Sequence, residues 1–384
     1  MSTKLETEEL LGRLVAFDSV SRNSNIPLAD FICDYLDGPG ITIVRNPDEH
    51  GSKTNVVITR GKHRDNRRGL ILSGHMDVVP ADEDGWLSDP FEIHTRHGKL
   101  YGRGTADMKG FLAVAMNAMR DAGKDLAHPL VLLFTYDEEL GTLGAHRFVT
   151  TARDLDILPS QAIIGEPTGL RAVRLHKGHL KLTIEFSGTA AHSGYPHLGV
   201  NAIEPAGVAI HALVKLRREL EDERHDYSQF YPDVPFVPLN VGVIAGGAAV
   251  NVIPDKCTLE VGIRPLPGTS SEAYVARVRE VLTGALGDST FAIKVVSDSP
   301  SLITDENAPL HQHLIGQVGQ SHTASVSFAT DAGWFQTVGM ECVIFGPGTI
   351  EVAHKPNEYV PREDLARASD HLATAIRSFC KEHR

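Results

Sequence analysis

Cysteine is scarce in this chain. There are four in 384 residues (Cys33, Cys257, Cys342 and Cys380), far apart and without any Cys-x-x-Cys spacing. That excludes a disulfide framework and a thiolate zinc site, and it fits a reducing cytoplasm. Positive charge is also in deficit: Lys and Arg total 37 against 49 Asp and Glu, a formal net charge of −12. A surface for nucleic acid is not expected from that balance. No run is long and apolar enough to span a bilayer. The opening residues, Met1-Ser-Thr-Lys-Leu-Glu-Thr-Glu-Glu-Leu10, are acidic and polar, unlike a secretory signal. Internal repeats and low-complexity tracts are missing as well. What remains, with 42% hydrophobic and 22% charged residues, is a globular composition on a chain long enough to predict two domains.

Against this background stand five acidic and histidine positions. They occur in Ser73-Gly-His-Met-Asp77, Gly104-Thr-Ala-Asp107, Asp137-Glu-Glu139, Gly165-Glu-Pro167 and Val352-Ala-His354. His75, Asp107, Glu139, Glu166 and His354 together supply two imidazoles and three carboxylates. Such donors suit Zn²⁺, Co²⁺ or Mn²⁺. If one carboxylate bridges, five ligands hold two ions with room for water and substrate, the makings of a hydrolase centre.

The first half of the chain alternates helix-like and strand-like segments. Residues 6–17 and 110–122 read as helices; 55–59, 70–73, 130–136 and 162–164 read as short apolar strands. That order predicts an α/β fold with a mixed, largely parallel sheet flanked by helices. His75, Glu139 and Glu166 each follow a predicted strand, where open α/β sheets place their sites. From about residue 181 the texture changes. Alternating strands at 181–187, 238–244, 257–264 and 291–296, with helices at 201–224 and 270–286, predict a ferredoxin-like α+β insertion over 181–296. A strand at 343–345 and a helix at 361–379 return the chain to the first domain, which is therefore expected to be discontinuous, 1–180 plus 297–384.

Read singly, several of these residues have plainer explanations. Asp107 also suits the N-cap of a helix beginning near Met108. An isolated Asp-Glu-Glu is a solvated acidic turn, and His354 by itself passes for a surface residue. His146, His176, His179, His197, His311 and His313 are read as surface or supporting residues, with His176 and His179 as candidates to line a cleft. Asp77 is expected to accept the second imidazole N–H of His75.

Gly74-His-Met-Asp-Val-Val-Pro80, Tyr101-Gly-Arg-Gly-Thr-Ala-Asp-Met-Lys-Gly110, Asp137-Glu-Glu139 and Gly165-Glu-Pro-Thr168 resemble the metal-site signatures of the M20 metallopeptidase family. The resemblance runs from about residue 10 to 377. It implies a zinc-exopeptidase-like catalytic domain with an inserted lid and dimerisation domain, two divalent ions (Zn²⁺, with Co²⁺ as the alternative) and a homodimer acting on a small N-acyl amino acid. Arg174-Leu-His-Lys-Gly-His179, Arg264-Pro-Leu-Pro-Gly268 and Ala353-His-Lys-Pro-Asn-Glu-Tyr359 are similar to the subgroup that deacetylates N²-acetyl-L-ornithine for arginine biosynthesis. Relatives acting on acetylcitrulline, succinyl-diaminopimelate or general N-acyl amino acids share much of the pattern. A catalytically silent scaffold of this fold is the reading from a different class, and the presence of all the ligand types speaks against it.

The resemblance also assigns roles. Asp107 bridges the ions, Glu166 joins His75 on one, and His354 joins Glu139 on the other. Glu138, adjacent to Glu139 and pointing elsewhere, is the general base. His192, from the inserted domain of the partner subunit, polarises the scissile carbonyl. Asn251 and Arg264 clamp the substrate carboxylate. Separately from the resemblance, Asp331, an acid in the glycine-containing loop Ala329-Thr-Asp-Ala-Gly333 just before the His354 segment, is the candidate for meeting the ornithine ammonium.

Overall fold

Runs of leucine and β-branched residues build the centre of the first unit. Leu70–His75, Leu130–Thr135 and Gln161–Ile164 form strands that are buried almost throughout, as strands covered on both faces by helices must be. With Glu341–Ile344 they form a parallel core, in the order Leu130–Thr135, Leu70–His75, Gln161–Ile164, Glu341–Ile344. Antiparallel strands flank it: Thr54–Arg60 and then Ile41–Pro47 on one side, and on the other Val173, which pairs with Ile344. The sheet is mixed and largely parallel, as the alternating pattern predicted.

This computed structural model describes residues 3–62, 67–123, 125–152, 158–287 and 290–381. The chain parts into two units, one of Met1–Arg174, Thr304–Ala324 and Thr330–Arg384, the other of Leu175–Ile303 and Ser325–Ala329. These boundaries differ from the sequence expectation by a few residues, and Ser325–Ala329 is an excursion that the sequence did not mark.

In the first unit, helices Thr7–Val15, Gly110–Asp121 and Arg362–Cys380 pack with the sheet around Leu14, Phe111, Leu112, Leu132, Phe134 and Leu372. Burying each large side chain contributes roughly 1.5–3 kcal/mol. Helix Gly110–Asp121 is apolar nearly all round, with ten of its residues buried, which marks it as a central helix. It starts at Gly110 rather than near Met108.

The second unit is a four-stranded antiparallel sheet in the order Leu239–Gly246, Lys256–Ile263, His179–Ser187, Phe291–Ser299. Along His179–Ser187, Leu180, Leu182, Ile184 and Phe186 are buried while Lys181, Thr183 and Glu185 are partly exposed, a period of two. Helices Ile203–Asp222 and Ser271–Leu286 cover the apolar face with Leu213, Leu216, Val278 and Leu282. Strand, helix, two strands, helix and strand in that order make a ferredoxin-like sandwich. His176 and His311, read from sequence as surface or supporting positions, are buried. Among the described residues no helix is long and apolar enough to cross a membrane.

Candidate metal centre

The parallel strands end together, and each delivers a polar group. His75 is the last residue of its strand. Glu138 and Glu139 follow Leu130–Thr135, and Glu166 lies two residues past Ile164. Glu166 approaches closely because Gly165 has no side chain: a Cβ there would lie 2.0 Å from the Phe111 ring. Asp107 comes from a tight turn over Thr105–Lys109 ahead of helix Gly110–Asp121. His354 lies in the segment after Glu341–Ile344, at φ 59°, in the left-handed region.

The five residues meet in two groups that share Asp107. His75, Asp107 and Glu166 form one; Asp107, Glu139 and His354 form the other, with ligand atoms in each within 4.8 Å of one another. His75 Nε2 lies 3.0 Å from Asp107 Oδ1 and 3.9 Å from Glu166 Oε1. His354 Nε2 lies 3.0 Å from Glu139 Oε1 and 3.3 Å from Asp107 Oδ2. Asp107 thus turns one oxygen to each group.

The electrostatics fit divalent cations. Burial pushes Glu166 well above the usual carboxylate range, and the charge of Asp107 pushes it further. Burial, then the charge of Glu166, does the same to Glu138. Hydrogen bonds to Asp107 and Glu139 raise the His354 imidazole to about 10. Burial opposes charge on His75, yet its bond to Asp107 and the surrounding carboxylates raise it. Carboxylates outnumber imidazoles in a cluster that is largely buried, with the His354 side chain half exposed at its rim, and such a cluster gains most from cations between its members. Imidazole nitrogen and carboxylate oxygen are donors that first-row divalent metals accept.

Supporting contacts set the geometry. His75 Nδ1 faces the backbone carbonyl of Asp77 at 2.9 Å. The Asp77 carboxylate, expected in that role, is 3.7 Å away and is otherwise engaged. It accepts the Ser21 hydroxyl at 2.7 Å and the N–H groups of Glu138 and Glu139 at 3.1 and 3.3 Å. Beside it, Asp137 is held in the left-handed region at φ 50° and paired with the Lys53 ammonium, which also donates to the Ser21 carbonyl. Sequence reasoning did not single out Ser21, Lys53 or Glu358; their partners, the Asp77 and Asp137 carboxylates and backbone groups such as the Gly104, Ala106 and Asp107 N–H, lie far away in sequence and leave no spacing pattern.

Asp331 also lies in the first unit. It is buried, its Oδ2 accepts the Thr135 hydroxyl at 2.6 Å, and its Oδ1 has no hydrogen-bond partner among the described residues. Burial raises it to about 6. His192, Asn251 and Arg264 belong to the second unit. Exposed His192 pairs with Val252 across a short antiparallel bridge, and Ser193 N–H donates to the Asn251 carbonyl at 2.9 Å. His192 Nδ1 accepts the Gly194 N–H at 3.0 Å, which leaves Nε2 as the protonated nitrogen. Arg264 follows strand Lys256–Ile263, its N–H bonded to the Pro238 carbonyl at 3.0 Å.

Known proteins are similar to this chain in sequence and in fold. The chain is 38% identical to acetylornithine deacetylase of Myxococcus xanthus over 381 residues, 96% of each chain. The M20 family metallo-carboxypeptidase Sso-CP2 of Sulfolobus solfataricus has the same fold, with a TM-score of 0.76 at 15% identity over 97% of this chain and 99% of that one. So has the YXEP protein of Bacillus subtilis, a dinuclear metal-binding peptidase from the M20 family, with a TM-score of 0.68 at 17% identity over 97% and 98%. The profile of peptidase family M20/M25/M40 matches residues 71–378. With that match spanning both units and an acetylornithine deacetylase alike along nearly its whole length, the chain belongs to peptidase family M20/M25/M40.

Proposed function

We propose that this protein is a metal-dependent amidohydrolase that removes the acetyl group of N²-acetyl-L-ornithine, giving L-ornithine and acetate. The observation that carries the substrate is the 38% identity to a named acetylornithine deacetylase over 96% of both chains. The shared Asp107 between two three-residue groups supports the hydrolytic centre.

In this reading His75, Asp107 and Glu166 hold one divalent ion, and Asp107, Glu139 and His354 hold the second, with Zn²⁺ the expected metal and Co²⁺ a substitute. When bound, the ions supply Lewis acidity toward the amide carbonyl and lower the pKa of water. Glu138 does the proton work: its carboxylate takes a proton from the attacking water and gives it to the departing amine, so that the acetyl group leaves with the hydroxyl and ornithine with the hydrogen. Glu138 suits the task because burial and neighbouring carboxylates raise its proton affinity. Asp77 holds the turn that aims Glu138.

Further roles rest on the family likeness. His192 is the donor to the developing oxyanion, a task its protonated Nε2 suits. Asn251 and Arg264 bind the substrate carboxylate. Apart from that likeness, Asp331, an acid in a glycine-containing loop with a buried oxygen lacking a partner among the described residues, meets the side-chain ammonium. The second unit acts as the lid and dimerisation domain; Val208, Val243 and Ile244, exposed aliphatic residues on it, favour a homodimer, which light scattering checks.

The test is release of ornithine and acetate from N²-acetyl-L-ornithine by metal-stripped protein, with Zn²⁺ or Co²⁺ restored, beside acetylcitrulline, acetylmethionine and succinyl-diaminopimelate. Metal-dependent turnover greatest on acetylornithine is expected. Greater turnover on another compound would overturn the substrate and keep the centre.

A further inference from the structure

Glu358 is buried, 1% exposed, and takes no part in the chemistry proposed above. It lies four residues after His354, yet both its oxygens serve the turn that carries Asp107. Oε1 accepts the N–H groups of Ala106 at 2.9 Å and Asp107 at 3.0 Å. Oε2 accepts the Gly104 N–H and Arg103 Nη1, each at 3.0 Å. Its backbone carbonyl accepts the Gly102 N–H at 3.0 Å. Gly104, at φ +80°, bends the chain so that these N–H groups converge. Charge-assisted bonds away from water are the strong kind.

The same junction reaches further. The Arg103 guanidinium donates to the carbonyls of Pro80 at 3.0 Å and Lys355 at 3.3 Å, and pairs with the Glu83 carboxylate. Segments adjoining three candidate ligands, His75, Asp107 and His354, are therefore tied to one buried Arg103–Glu358 pair.

We propose that Glu358 is a positioning residue of the metal centre: it holds the backbone of Asp107 so that this carboxylate stays shared between the two ligand groups, and it fixes that turn to the segment of His354. The proposal rests on reading Asp107 and His354 as metal ligands. It differs from a role in folding alone, because a buried ion pair that only stabilised the fold would leave metal affinity in the folded protein unchanged.

The experiment is a Co²⁺ titration of the metal-stripped full-length protein, followed by absorbance, with amide hydrogen exchange on the metal-free form. Glu358→Gln keeps the side-chain shape but turns an NH₂ group toward N–H donors. Its Co²⁺ affinity is expected to fall about 10–100-fold, and the amides of Gly104, Ala106 and Asp107 to exchange faster, with the far-ultraviolet circular dichroism unchanged. Glu358→Asp, which keeps the charge, recovers part of the affinity. Glu83→Gln removes the other carboxylate on Arg103, leaves the turn alone, and keeps affinity within about twofold of wild type. Wild-type affinity in folded Glu358→Gln overturns the proposal, as does an equal loss in Glu83→Gln. If Glu358→Gln does not fold, Glu358→Asp decides: weakened Co²⁺ binding with faster exchange in the turn supports the proposal, and wild-type values overturn it. A wild-type protein that binds no Co²⁺ removes the ligand reading and this proposal together.

Discussion

The Asp77 carboxylate accepts the backbone N–H of Glu138 at 3.1 Å. Strand Leu70–His75 and the turn after Leu130–Thr135 are thereby joined two residues beyond His75. The other oxygen accepts the Glu139 N–H and the Ser21 hydroxyl. In Asp77→Asn, an NH₂ group must face one of these donors. A kcat loss of roughly 10–100-fold is expected, together with about 1–3 kcal/mol of stability for a buried donor left unsatisfied. Ser21→Ala removes one hydroxyl and leaves both backbone bonds, so it should cost only about 1 kcal/mol. Steady-state kinetics and urea unfolding of the two variants check this. Equal effects from both would mean that the turn is not held by Asp77.

Adjacent Glu138 and Glu139 are expected to separate cleanly. Glu138→Gln should retain two metal equivalents and lose roughly 10²–10⁴ in kcat, the range for a missing general acid–base. Glu139→Gln should lose an equivalent, since Glu139 pairs with His354 on one side of the site only. Metal analysis after gel filtration, beside kcat, distinguishes them. A Glu138→Gln variant that lost metal would reverse the two assignments.

The parallel core was legible because its strands are short apolar runs, and three of the candidate ligands, His75, Glu139 and Glu166, were legible because they come just after those runs; Asp107, in a turn, and His354, ten residues past Ile344, had no such register. Other elements left weaker marks. Helix Leu143–Thr151 contains Gly144 and ends in Val149-Thr-Thr151, residues of modest helix propensity, so packing rather than local preference decides it. Helix Ile26–Leu36 carries Pro27 in its first turn, harmless there but a breaker when read along a sequence. Strand Ile41–Pro47 is half exposed, with Arg45 and Asn46 interrupting the pattern. Within the site, His75 and Glu166 announced themselves by type and position. Glu358 did not, because its partners are the N–H groups of Gly104, Ala106 and Asp107, which any residue could present.

Metal removal should loosen one unit and spare the other. All five candidate ligands lie in the first unit. A ligand at a hundredfold excess over its Kd stabilises by about 2.7 kcal/mol. Chelation should therefore speed amide exchange at residues 74–77, 105–108, 138–140 and 352–355, with strands His179–Ser187 and Lys256–Ile263 unchanged. Re-addition of Zn²⁺ should restore protection. Uniform loosening of both units would mean that the ions do more than bind these five groups.

Acid sensitivity should arise in the second unit as well, at His176. This imidazole is fully buried, and burial lowers it from its ordinary 6.5 to about 4, while its bond to the Lys177 carbonyl at 2.9 Å opposes the change only partly. The unfolded chain takes up a proton near pH 6.5; the folded chain resists until about pH 4. Between those values the unfolded state binds more protons, so stability falls as the pH is lowered through that window, by about 1.4 kcal/mol per unit. Across the window this amounts to about 3 kcal/mol. His176→Asn keeps a donor near the Nδ1 position and cannot titrate. Urea unfolding of metal-free wild type and His176→Asn at pH 7.5 and 4.5 isolates the contribution, since every other group titrates alike in both. Wild type should lose about 2–3 kcal/mol more than the variant over that interval. Equal losses would mean that His176 reaches its proton in the folded state, and that the interior around it admits water or charge that its burial excludes.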